Sequence, residues 1–174
     1  MNVMAENPSN IVLIGMPGSG KSTVGIILAK RTCRDFIDTD LLIETAQGRP
    51  LQDIVDTDGY LALRKVEEDV ILALDCRNCV IATGGSAVYS SAAMAHLKQN
   101  GVAIFLNADL PTLQARVHDF AMRGLAKRPD QGLPDLFAER FALYTRYADV
   151  TVLCKDLTHE EVCERIIKAV ERGK

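Results

Sequence analysis

Apolar residues along this chain fall into short runs separated by stretches of helical spacing. Ile11–Ile14, Asp35–Asp38, Cys79–Thr83, Val102–Leu106 and Asp149–Leu153 read as strands. After the first run, Val24, Ile27 and Leu28 fall three and four residues apart, as on one helix face. Gly48 and Pro50 break the next segment, and Leu63, Val66, Val70 and Leu74 keep helical spacing between Asp58 and Leu74. A further helix is expected from Asp109, which can cap it, with Pro111 in the first turn. Thr158-His-Glu-Glu161 has the form of a capping box ahead of Val162, Ile166, Ile167 and Val170, so the chain is expected to end in an amphipathic helix. Strand and helix in alternation predict a parallel sheet covered on both faces.

At 174 residues the chain suits one domain, spanning 1–174, with a sizeable core. No repeat or linker divides it. No apolar run approaches the ~20 residues that cross a bilayer, and Met1–Glu6 lacks the basic-then-apolar order of a signal peptide, so a cytoplasmic enzyme without membrane partners is expected. Five cysteines, an odd number in apolar surroundings, argue against a disulfide framework. Cys76 and Cys79 have the spacing of a redox or metal pair but lack a second pair or a histidine cluster, which favours a structural role. A formal charge of −3 and the absence of tryptophan argue against a nucleic-acid groove.

The candidate chemistry begins directly after the first strand. Gly15-Met-Pro-Gly-Ser-Gly-Lys-Ser-Thr23 fits the phosphate-binding pattern G-x-x-x-x-G-K-[ST] in its required setting between strand and helix. Gly15, Gly18 and Gly20 allow the backbone to turn its N–H groups toward phosphate oxygens, and the following helix adds its positive end. Lys21 brings a compact charge to the outer phosphates, and the Ser22 hydroxyl suits magnesium.

Other constellations are less specific. Asp38 and Asp40 close the second strand, where ligands of open α/β sheets bind; one acid suits magnesium and the other an acceptor hydroxyl, although a solvated turn has the same pattern. Extended backbone continuing to Asp40 would put both acids on one side. Arg64 with Glu67 one turn later reads, on spacing alone, as a solvent-exposed ion pair. Thr83-Gly84-Gly85-Ser86 suits a ligand lying against backbone, or simply a tight turn. Phe120–Pro134 mixes glycine, proline and basic residues and is expected to be a mobile cover.

Taken in order, Gly15–Thr23, Asp38/Asp40, Leu63–Asp69, Ala82–Ala87, Lys127-Arg-Pro129 and Arg140–Tyr144 resemble the shikimate kinase family over nearly the whole chain from Ile11. That resemblance implies an α/β, three-layer P-loop fold with a five-stranded parallel sheet in the order 2-3-1-4-5. It also implies an acceptor-binding region around 40–64 and a lid around 118–134. The implied activity is transfer of the terminal phosphoryl of ATP, with Mg2+, to the 3-hydroxyl of shikimate, by a monomer in aromatic amino-acid biosynthesis. By resemblance, Gly18, Ser19, Gly20, Lys21, Ser22, Thr23 and Arg128 meet the nucleotide, Ser22 and Asp38 the metal, and Asp40 the reacting hydroxyl, with Lys21, Asp40 and Arg128 as the catalytic set. Arg64 and Arg140, the former positioned by Glu67, match the pair that grips the acceptor carboxylate, where planar guanidinium groups offer paired N–H donors. Gly84 and Gly85 match the acceptor pocket's backbone wall, and Lys155 and Asp156 are plausible neighbours of the adenine.

The chain departs from the family pattern in two places. Ser86 stands where a third glycine is usual, so its hydroxymethyl is expected to intrude on the acceptor, and Asp130-Gln131 replaces the usual apolar pair after Arg-Pro, with Arg123 and Lys127 adding charge before it. These departures motivate an alternative acceptor, another small hydroxylated carboxylate such as a sugar acid or hydroxy amino acid. A nucleotide-binding switch without an acceptor is a third reading; it lacks a guanine-specific Asn-Lys-x-Asp motif and leaves the acceptor-site arginines without purpose.

Overall fold

The computed structural model describes residues 9–116 and 124–172. Its sheet contains β1 (Asn10–Ile14), β2 (Asp35–Asp38), β3 (Cys79–Ala82), β4 (Gly101–Asn107) and β5 (Val150–Leu153), all parallel in the order β2-β3-β1-β4-β5. β1 is buried along its whole length because β3 and β4 flank it, with Ile11 beside Val80 and Ile14 beside Phe105. A strand covered on both faces needs the unbroken apolar run that the sequence displays there. The edge strands tolerate Asp35 and Thr151 at exposed positions.

Helices flank the sheet: α1 (Lys21–Thr32), α2 (Thr39–Gln47), α3 (Leu51–Asp58), α4 (Tyr60–Leu72), α5 (Ser91–Gln99), α6 (Leu110–Arg116), α7 (Leu133–Tyr147) and α8 (His159–Arg172), with a 3-10 turn at Ala87–Tyr89. α1 lies close over β2 because Gly25 has no side chain; a Cβ there would stand 2.5 Å from the Phe36 ring. The two forecast caps form. Asp109 Oδ1 accepts from Thr112 N at 3.0 Å, and Thr158 and Glu161 exchange side-chain and backbone bonds at 2.8 and 3.2 Å.

Two expectations change. The helix forecast over Asp58–Leu74 is α4, Tyr60–Leu72, slightly shorter at both ends; Gly59 at φ 88 and ψ 163 separates it from α3, which ends at Asp58. The strand geometry does not reach Asp40: β2 ends at Asp38, whose Oδ1 caps α2 by accepting from Asp40 N at 3.0 Å. Asp40 therefore enters the site from a helix's first turn.

The main core joins β1, β3 and β4 to α1, α5, α7 and α8, and a smaller one gathers Ile43, Ile54, Leu63 and Ala126. The second core ties α2, α3 and α4 to the stem of the expected lid. Leu125 and Ala126 are buried, so this part of the forecast mobile connection is packed, whereas residues 118–123, including Arg123, lie outside the described residues. All five cysteines are free; Cys79 is buried, and burial pushes the Cys76 thiol up to about 12, in keeping with structural roles.

Candidate active site

The loops after β1 and β3 and the start of α2 open at one edge of the sheet, the carboxyl ends of its strands. A cavity of about 540 Å³ lies there, extending from Gly20 and Lys21 to Asp40, Glu67, Gly84 and Arg140. Gly15, Gly18 and Gly20 all have positive φ, at 148, 82 and 96°. Gly20 caps α1 without a side-chain bond, so the first N–H groups of that helix face a potential anion. Ser19 Oγ is buried without a hydrogen-bond partner, and Lys21 Nζ is folded back onto the Gly15 and Met16 carbonyls at 2.8 Å each. A buried ammonium held only by neutral carbonyls is well suited to exchange them for phosphate oxygens.

Ser22 Oγ donates to Asp38 Oδ2 at 2.6 Å, bringing a hydroxyl and a carboxylate oxygen together at the mouth of the loop. This pair fits magnesium, which commonly uses one or two protein oxygens and completes its shell with phosphate and water. Beyond it lie four charges of mixed sign: buried Lys21, Glu67 and Arg140, and half-buried Asp40. Burial lowers Lys21 to about 8, with the Asp40 carboxylate opposing that shift. Burial raises Asp40 to about 6, and burial together with Asp40 raises Glu67 to about 7.

Gly84 and Gly85 form the wall between these charges. Thr39 Oγ1 accepts from Gly84 N at 2.9 Å, and Tyr144 donates its hydroxyl to the Gly85 carbonyl at 2.7 Å. Arg140 and Arg64 converge from α7 and α4 on a single oxygen: their Nη2 atoms donate to the Ala126 carbonyl at 3.1 and 3.0 Å. Arg64 also stacks over Tyr89, its Cζ 3.5 Å from the ring centroid. It lies beside a second recess that shares Glu67 and Ser86 with the main cavity. Both arginines keep a buried Nε without a partner.

The shikimate kinase family model matches residues 17–171. The chain belongs to the shikimate kinase family. Among its relatives, the shikimate kinase of Thermodesulfovibrio yellowstonii is 38% identical, the match covering 94% of this chain and 95% of that one. The shikimate kinase of Caldanaerobacter subterraneus is also 38% identical, over 92% and 95% of the two chains. The solved shikimate kinase of Acinetobacter baumannii in complex with shikimate superposes with a TM-score of 0.89 at 30% identity, covering 97% of this chain and 96% of that one. The Aquifex aeolicus shikimate kinase gives 0.78 at 29%, over 94% and 97%. As a shikimate kinase family member this chain is a P-loop phosphotransferase that uses ATP with magnesium.

The fold gathers Lys21, Asp40, Gly84, Gly85 and Arg140 around one cavity and sets Arg64 next to it. It does not bring Arg128 there: that side chain is exposed and pairs with Glu139 at 3.5 Å. Glu67 does not position Arg64 through a bond, since it accepts from Ser86 instead. The Ser86 hydroxyl is accordingly directed at Glu67. Lys155 pairs with Asp109 at 3.6 Å and neither it nor Asp156 lines the cavity, whereas Arg116 and His159 do. Those two were missed because neither lies in a motif; His159 was visible only as a capping-box interior residue.

Proposed function

We propose that this protein transfers the terminal phosphoryl of ATP to the 3-hydroxyl of shikimate. The supporting observation is the convergence of Arg64 and Arg140 on one oxygen beside the cavity that leads to Lys21. Two guanidinium groups sharing a neutral carbonyl form a site suited to a carboxylate, which supplies charge and two acceptors.

In this reading the acceptor carboxylate replaces Ala126 O on Arg64 and Arg140, and its ring lies against Gly84 and Gly85 with a hydroxyl at Asp40. Asp40, raised to about 6, takes that hydroxyl's proton near neutral pH. Gly18, Ser19, Gly20, Lys21, Ser22 and Thr23 hold the nucleotide phosphates, and Lys21 stabilises charge on the transferring group. Ser22 and Asp38 would hold magnesium, which supplies charge neutralisation at the phosphates. Arg128 leaves Glu139 to reach the donor phosphate from the lid. Action as a monomer belongs to this reading, and no helix among the described residues is long and apolar enough to cross a membrane. A cytoplasmic setting belongs to the same reading.

The test is ADP release with Mg-ATP across a panel of shikimate, sugar acids, hydroxy acids and hydroxy amino acids, with the phosphorylated position read by 31P NMR. Shikimate-dependent release with 3-phosphate formation is expected. Absence of shikimate turnover, with a sugar acid or hydroxy amino acid accepted instead, would overturn the acceptor assignment.

A further inference from the structure

Tyr89 closes the 3-10 turn that follows β3, and that turn packs against both α4, which carries Arg64, and α7, which carries Arg140. Both guanidinium groups lie over its ring, the Arg64 Cζ 3.5 Å and the Arg140 Cζ 5.5 Å from the centroid. The far end of the ring is anchored as well, since the Tyr89 hydroxyl donates to Glu139 Oε1. Glu139 Oε2 is occupied in turn: it accepts from the buried Gln131 Nε2 at 2.8 Å and pairs with Arg128 at 3.5 Å. The Glu139 carboxylate is thus committed at the hydroxyl end of the ring, while the two cations lie over its face. Each arginine keeps a buried Nε without a partner.

We propose that Tyr89 is a positioning residue for acceptor binding: its ring holds Arg64 and Arg140 side by side with N–H donors left free for one carboxylate. Two cations that share a neutral carbonyl repel each other, and that repulsion has to be offset before any guest arrives. An internal carboxylate would offset it, but would then occupy the same N–H donors that the acceptor needs. An aromatic face attracts both cations through its quadrupole and has no lone pairs with which to take up their N–H groups. Glu139 fixes the plane of that face from the hydroxyl end. With leucine at position 89 the two arginines keep their charges and lose the surface that holds them together.

The kinetic arm of the test rests on the acceptor assignment above; the spectroscopic arm does not. Tyr89→Leu is expected to raise the acceptor KM about tenfold, with kcat within about threefold and the ATP KM unchanged. Tyr89→Phe keeps the ring and loses only the Glu139 bond, so its rise in acceptor KM is expected to stop at about threefold. In an Arg64→Ala background, Tyr89→Leu is expected to add no more than about threefold, because the guanidinium nearer the ring is gone. Independently of activity, the Arg64 Nε–H resonance in 15N-labelled protein, assigned by Arg64→Lys, is expected to move downfield in Tyr89→Leu, where ring shielding is lost, and to stay in place in Tyr89→Phe. An unmoved resonance or an unchanged acceptor KM in Tyr89→Leu, or a full tenfold rise in the Arg64→Ala background, overturns the proposal. Turnover of another carboxylate of the panel in place of shikimate, with that acceptor's KM raised in Tyr89→Leu, supports the positioning role and defeats only the acceptor assignment. Shikimate turnover with an unchanged KM in Tyr89→Leu does the reverse.

Discussion

Gly84→Ala separates the needs of the site from those of the fold. The Gly84 backbone lies outside the left-handed region, so alanine meets no conformational penalty; its methyl meets two carboxylates instead. The added Cβ would stand 2.5 Å from Asp40 Oδ1 and closer still to Glu67 Oε1, where ordinary contact begins at 3.4 Å. Asp40 must therefore retreat by about 0.9 Å and Glu67 by more, and a displacement of about 1 Å in a reacting group costs roughly 100-fold in rate. Both obstacles are ends of side chains, so the fold yields cheaply, at about 1 kcal/mol, the low end for overpacking. That corresponds to a fall of ~2–4 °C in Tm for a chain of this size. Shikimate-dependent ADP release, thermal unfolding and ATP affinity on the same preparation read the three quantities. A useful contrast is Gly48→Ala, where no atom lies within 4 Å but φ is +64°. There, stability should fall by ~1–2 kcal/mol and turnover should stay unchanged. Turnover of Gly84→Ala within about threefold of wild type would refute the placement of these carboxylates at the acceptor.

Lys21→Ala should lower kcat by ~100- to 1,000-fold with a small effect on the acceptor KM, as measured by steady-state kinetics. Arg140→Ala and Arg64→Ala should instead raise the acceptor KM, by ~100-fold or more for buried Arg140, and leave the ATP KM unchanged; unchanged acceptor kinetics in both contradicts the paired grip. Glu67 imposes a pH dependence on stability. Its folded-state value of about 7 exceeds the ordinary 4.5, so the folded protein holds the proton longer, and stability falls as pH rises through that window, then levels off. The difference between wild type and Glu67→Gln in denaturant unfolding at pH 5 and pH 8 should reach at most about 3 kcal/mol, and equal slopes in the two proteins would remove Glu67 as the source.

The parts legible in the sequence are those set by local physics. Strand runs show because β1, β3 and β4 are covered on both faces, and caps such as Asp109 and Thr158 show because their partners lie three residues away. Gly15–Thr23 shows because one continuous loop carries its whole geometry. The family pattern led to Arg64 and Arg140 as partners, but nothing local to either foretells that they meet on Ala126 O. The helical entry of Asp40 is hidden by an Asp38 that reads equally as strand end and helix cap. Likewise, the proximity of Glu67 to Arg64 in sequence suggests a pair, and only packing against the turn after β3 reveals the Ser86 hydroxyl as its partner. Arg116 and His159 reach the cavity from separate elements, a juxtaposition that no spacing rule encodes.

The Ala126 oxygen, taken up by two guanidinium groups at once, makes arrival of an anionic guest an eviction. Its peptide lies two residues before Arg128, the cation assigned to the lid in the proposed reading. On the proposed reading, an inhibitor that engages both guanidinium groups must outcompete the enzyme's own backbone carbonyl before it meets any rival in solution.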